Sequence, residues 1–105
     1  MIAHGIDLDN AAIREFCRKW NITELSVFGS ILRDDFRPDS DVDFLVDYEE
    51  DAYWEIEELD EMERQLGTIV GRDVDILNRR TVQKSRNYIK RKHILRTAES
   101  VHAQR

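Results

Sequence analysis

The chain has 105 residues, room for a single domain, expected to span residues 1–105, with a modest core. Charged residues make up 36% of it and the formal net charge is −6, so the surface must be densely ionic. The positive field that direct nucleic-acid binding requires is missing. Cys17 is the only cysteine, which excludes an internal disulfide, and its apolar surroundings suggest a buried side chain in a reducing compartment. No apolar run approaches membrane-spanning length and Met1 to Leu8 carries no signal-peptide pattern. A soluble, cytoplasmic protein with no membrane contact is expected.

Leu8, Ala12, Phe16, Cys17 and Trp20 recur at helical spacing, broadened by Ala11 and Ile13, with Arg14, Glu15, Arg18 and Lys19 opposite. This predicts a first amphipathic helix, capped by Asp7 or Asp9 and stopped near Asn21. Ile22 to Phe28 reads as a short strand ending at Gly29, and Ser30 to Asp34 as one helical turn. Phe36 to Ser40 has turn chemistry.

Asp41 to Tyr48 reads as a second strand, with Asp41, Asp43, Leu45 and Asp47 on one face and Val42, Phe44, Val46 and Tyr48 on the other. A second helix fits Asp51 to Leu66, with Ala52, Ile56, Leu59, Met62 and Leu66 inward and Gly67 at its end. Val74 to Leu77 is a third strand. From Thr81 a basic helix is expected, with Val82, Ile89 and His93 or Leu95 inward; beyond Thr97 a frayed end and a closing strand are both open. The order predicts an α+β fold, helices packed against a small mixed sheet.

Charge is unevenly distributed. Asp47 to Glu63 holds ten acidic residues and no Lys or Arg, whereas Arg79 to Arg96 holds eight Lys or Arg and no acid. The two stretches are either solvated helix faces or partner surfaces. His4, His93 and His102 lack metal-ligand spacing, and Trp54, flanking the second helix stripe, is a rim aromatic or a contact for a base or partner.

The chemistry concentrates between Val27 and Asp75. Gly29 lets the backbone turn sharply and approach a phosphate, Ser30 adds a hydroxyl, and the following turn offers free amides. Asp41 and Asp43 share a strand face, and two bare carboxylates about 4 Å apart repel by roughly 4 kcal/mol at an effective dielectric of about 20. Solvent or a divalent cation relieves that repulsion, and Mg²⁺ commonly uses one or two carboxylates plus substrate phosphates. Asp75 alternates with apolar residues in the third strand and can converge with the pair. Asp73 shares its face, but its neighbours are less apolar. Three such carboxylates suit a site for two Mg²⁺ ions.

Gly29-Ser30, ten residues, Asp41-x-Asp43 and a later strand aspartate together resemble the nucleotidyltransferase fold of the DNA polymerase β superfamily. Closer still, they resemble the minimal nucleotidyltransferases of prokaryotes, a group that includes the MntA-type antitoxins. Arg33 stands where that family often carries an arginine, while Asp34 and Asp35 are more acidic than its usual small residues. The resemblance implies that Gly29, Ser30 and Arg33 bind ATP phosphates. It also implies that Asp41, Asp43 and Asp75 hold Mg²⁺ and do the catalysis. Members paired with HEPN-domain toxins transfer AMP from ATP to a toxin tyrosine (AMPylation), which implies a HEPN-type partner here.

Larger relatives add domains to hold their acceptors, so a chain of this size is expected to borrow its acceptor site from a second protein. Two other readings stay open: an antitoxin subunit that neutralises its toxin by contact alone, and a small-molecule nucleotidyltransferase in a homo-oligomer.

Overall fold

The computed structural model describes residues 1–103. Strand β3 (Ile22–Phe28) and strand β4 (Val42–Tyr48) form its centre, paired antiparallel from Ile22↔Tyr48 to Phe28↔Asp43. Strand β5 (Val74–Asn78) joins β4 in parallel, and strand β6 (Glu99–Ala103) joins β3 antiparallel, giving the order β5-β4-β3-β6. A parallel neighbour requires a crossover, here supplied by helix α2 (Ile56–Val70). The expected α+β fold with a small mixed sheet is observed.

Both sheet faces are covered, which explains the near-continuous apolar run in β4. Val42, Phe44 and Val46 meet Ile13, Phe16 and Cys17 of helix α1 (Ala11–Lys19) and Met62 and Leu66 of α2 in the main core. Leu45, on the opposite face, meets Val82 of helix α3 (Arg79–Gln83) and Ile94 of helix α4 (Tyr88–Thr97). Full burial of a side chain the size of Phe44 or Leu45 contributes about 1.5–3 kcal/mol each. A two-strand hairpin, β1 (Ile2–Ala3) and β2 (Ile6–Asp7), precedes α1 and has too few residues for an alternation to announce it.

Several local expectations are corrected. Asn10, rather than Asp7 or Asp9, caps α1: its side chain accepts from the Ile13 amide at 2.9 Å, while Asp7 accepts from the Asp9 amide. Ala11 and Ala12 face solvent. Helix α2 starts at a Glu55–Glu58 capping box, runs through Gly67 and ends at Gly71, whose φ of 74° is the left-handed conformation a helix stop requires. Ile56, expected inside, is 74% exposed at the first residue of that helix. The basic region is two helices, because the chain leaves helix at Ser85–Asn87 and restarts at Tyr88. The restart resets the phase, burying Ile94 and leaving Ile89 80% exposed and His93 exposed. Of the two alternatives left open beyond Thr97, the described residues show the closing strand, up to Ala103. The helical turn after β3 is a short 3-10 segment, Gly29–Leu32.

Candidate active site

Three strand ends bring the acidic residues together. Antiparallel pairing puts Phe28 opposite Asp43, so the chain leaving β3 bends beside that carboxylate. Parallel pairing puts Asp75 level with Asp43 on the next strand, and the Asp73 carbonyl accepts from the Val42 amide at 2.9 Å. Asp41 sits one residue before β4, at the end of a loop clamped by Arg72. That guanidinium donates to the carbonyls of Arg37 and Ser40, the latter at 2.7 Å, and stacks over Phe36 at 4.6 Å.

The closest approach involves Gly29, with φ of 77°: a Cβ there would lie 2.5 Å from Asp43 Oδ2. Only glycine combines that backbone conformation with that clearance. Ser30 is half-buried in the 3-10 segment, and its carbonyl accepts from the Arg33 amide at 2.9 Å. Arg33 is exposed, and its Nε donates to Asp35 at 3.1 Å.

Electrostatics register this convergence. Burial pushes the Asp43 carboxyl above its ordinary range, and the charges of Asp75 and then Asp41 push it further, with Arg33 acting in the opposite sense. Glu63 of α2 is also raised, first by burial, although the Ile76 amide donates to its Oε2 at 3.2 Å and partly offsets this; Asp75 adds to the rise. Glu63 is a member of this acidic group that sequence reading left in the charged run of the helix. No local pattern marks it, since its partner, the Ile76 amide, is brought to it by the long-range packing of α2 on β5.

Two clefts open near these strand ends. One, about 890 Å³, is lined by Asp41, Glu63, Asp73 and Asp75 together with Arg64, Thr68 and Arg72. The other, about 490 Å³, is lined by Gly29, Leu32, Arg33, His93, Arg96 and Glu99, among others. The expected site residues are therefore divided between two sides, and Asp43 lines neither cleft. Asp41 and Asp75 belong to the larger cleft, Gly29 and Arg33 to the smaller, and Ser30 lines neither.

Hard carboxylate oxygens whose charges oppose one another are a donor set that fits Mg²⁺. Among the described residues, no group of three or more His, Cys, Asp or Glu side chains is gathered as a ready-made metal cluster. Trp54 packs against Tyr48, ring centroids 4.4 Å apart, which accounts for its position without a ligand.

The family profile described as a nucleotidyltransferase domain matches residues 10–100, enclosing every element from α1 to the start of β6. The chain belongs to the nucleotidyltransferase domain family. A solved structure described as a minimal nucleotidyltransferase is 30% identical, with a TM-score of 0.63, over 84% of each chain. The protein adenylyltransferase MntA of Thermococcus cleftensis is 36% identical over 64 residues, 61% of this chain and 63% of that protein. A toxin–antitoxin structure with AMP-PNP shares the nucleotidyltransferase fold, with a TM-score of 0.66 at 14% identity, over 90% of this chain and 73% of that one. The resemblance read from Gly29-Ser30 and Asp41-x-Asp43 thus led to the right family. Among the described residues no helix is long and apolar enough to cross a membrane.

Proposed function

We propose that this chain is a Mg²⁺-dependent nucleotidyltransferase that moves AMP from ATP to a tyrosine of a partner HEPN-type ribonuclease toxin, and so acts as an antitoxin. The observation that carries the reading is the register: Asp43 lies level with Asp75 on one side and against the Gly29 bend on the other. Support also comes from the MntA relative, described as a protein adenylyltransferase, and from toxin–antitoxin complexes among the structural neighbours, one holding AMP-PNP.

In this reading the bare backbone at Gly29 and the Ser30 hydroxyl receive the phosphates from one side. Arg33 supplies a positive charge beside them. Asp41, Asp43 and Asp75 would hold Mg²⁺, which neutralises phosphate charge and lowers the pKa of an acceptor hydroxyl. The acceptor oxygen attacks the α-phosphorus, the bond to the bridging oxygen breaks, and pyrophosphate leaves in line with that electron pair. Asp75, exposed at the larger cleft, would take the acceptor's proton. Most of the rate gain comes from positioning and charge stabilisation.

The test combines the purified chain, ATP labelled at the α-phosphate, Mg²⁺ and the toxin encoded beside it. Label on the toxin that disappears with the double variant Asp41→Asn, Asp43→Asn is the expected result. No label, with the double variant neutralising the toxin fully, would establish the contact-only alternative. That second reading has its own observation: Tyr53 and Ile56 are 78% and 74% exposed within the acidic stretch, an apolar pair framed by negative charge.

A further inference from the structure

The smaller cleft has a wall that the motif does not supply. Strand β6 runs back along β3 with Val27 opposite Glu99. Residues before Glu99 therefore continue past the end of β3, beside Phe28 and Gly29. The closing strand thus delivers the last turn of α4 to the Gly29 bend, and His93, Arg96 and Thr97 line the cleft together with Gly29, Leu32 and Arg33.

Arg96 is the notable side chain. Arg33, the motif arginine, is already engaged by Asp35 at 3.1 Å. Among the described residues the Arg96 guanidinium takes part in none of the ion pairs. One carboxylate, Glu99, lines the same cleft, so its lining keeps a net positive charge of one from Arg33 and Arg96 against Glu99. A free guanidinium beside a backbone bend open to phosphate is suited to bidentate recognition of phosphate oxygens. The volume, about 490 Å³, is in the range of small-ligand sites.

We infer that Arg96 binds the β- and γ-phosphates of the nucleotide, dividing labour between the two clefts: the phosphate tail lies under α4, and the acceptor enters on the Asp41–Asp75 side. This rests on the nucleotidyltransferase reading and assigns a further substrate-binding residue within it.

The experiment is calorimetric titration of the full chain and of Arg96→Ala and Arg96→Lys with ATP and, separately, with AMP, in Mg²⁺. The expected result for Arg96→Ala is ATP affinity weakened about tenfold or more with AMP affinity within about twofold, and partial recovery in Arg96→Lys. Unchanged ATP affinity in Arg96→Ala overturns the inference while leaving the wider reading intact. Equal loss for ATP and AMP also overturns it, since a merely structural role disturbs both. A wild-type chain that binds no ATP overturns the inference and the reading together.

Discussion

Gly29 and Asp43 occupy a shared space with no room for one more carbon: a Cβ on Gly29 would stand 2.5 Å from Asp43 Oδ2. The antiparallel register fixes this approach, because Phe28 is the last β3 residue paired and Asp43 is its partner. Replacing Gly29 with alanine strains the backbone, whose φ is 77°, and pushes the carboxylate off its position. The left-handed conformation alone costs a non-glycine residue about 1–2 kcal/mol. Gly29→Ala is therefore expected to lower stability by at least that amount in urea unfolding and to reduce AMP transfer far more than the stability loss explains.

Asp43 itself carries an electrostatic cost. Burial and the charges of Asp75 and Asp41 resist its ionisation, so its folded pKa lies above the unfolded value. The folded state then binds that proton more tightly, and stability falls as pH rises from the unfolded value through the folded one. Asp43→Asn removes the penalty. The expected outcome is a Mg²⁺-free chain more stable than the parent at pH 7, with the gain vanishing at acidic pH. Equal or lower stability of Asp43→Asn at pH 7 would contradict this account of the site.

Sequence patterns carried the catalytic half of the fold further than the rest. The Asp41–Tyr48 alternation and the apolar Ile22–Phe28 and Val74–Leu77 segments are local patterns; the Ile22–Phe28 strand matches its expected range, and the other two differ by one residue at an end. Levelling of Asp43 with Asp75 was a different matter, since register depends on how α2 crosses over. Gly67 and Gly71 look alike in sequence, and only the backbone angle of Gly71 distinguishes the stop from a glycine inside the helix. Arg96 was legible only as one of several charges in a basic run. Its relation to Gly29 follows from the β3–β6 pairing, a long-range contact that no local pattern encodes.

Cys17 offers a prediction independent of the site. It is fully buried in the main core, and burial pushes its thiol up to about 12. An unfolded thiol loses its proton near about 8.5, so stability should fall as pH rises from that value toward the folded one. Alkylation by iodoacetamide at pH 8 is expected to be at least about 10³-fold slower in the native chain than in urea. Cys17→Ala should flatten the alkaline decline in melting temperature, measured between roughly pH 8.5 and 10.5.

The two isoleucines of α4 separate a phase error from a packing fact. A basic helix running unbroken from Thr81 puts Ile89 inward, whereas the restart at Tyr88 buries Ile94 against Leu45 and Val82 and leaves Ile89 in solvent. Ile94→Ala removes methyl groups from a closed cluster and should cost about 2–4 kcal/mol in urea unfolding. Ile89→Glu changes an exposed side chain and should alter stability by no more than about 0.5 kcal/mol. If α4 also delivers Arg96 to the Gly29 bend, the two variants diverge in binding as well. Ile94→Ala should weaken ATP affinity in step with loosening of the helix, while Ile89→Glu leaves it unchanged. The reverse ranking of stabilities would show that the helix docks in the other phase and would remove Arg96 from the cleft with it.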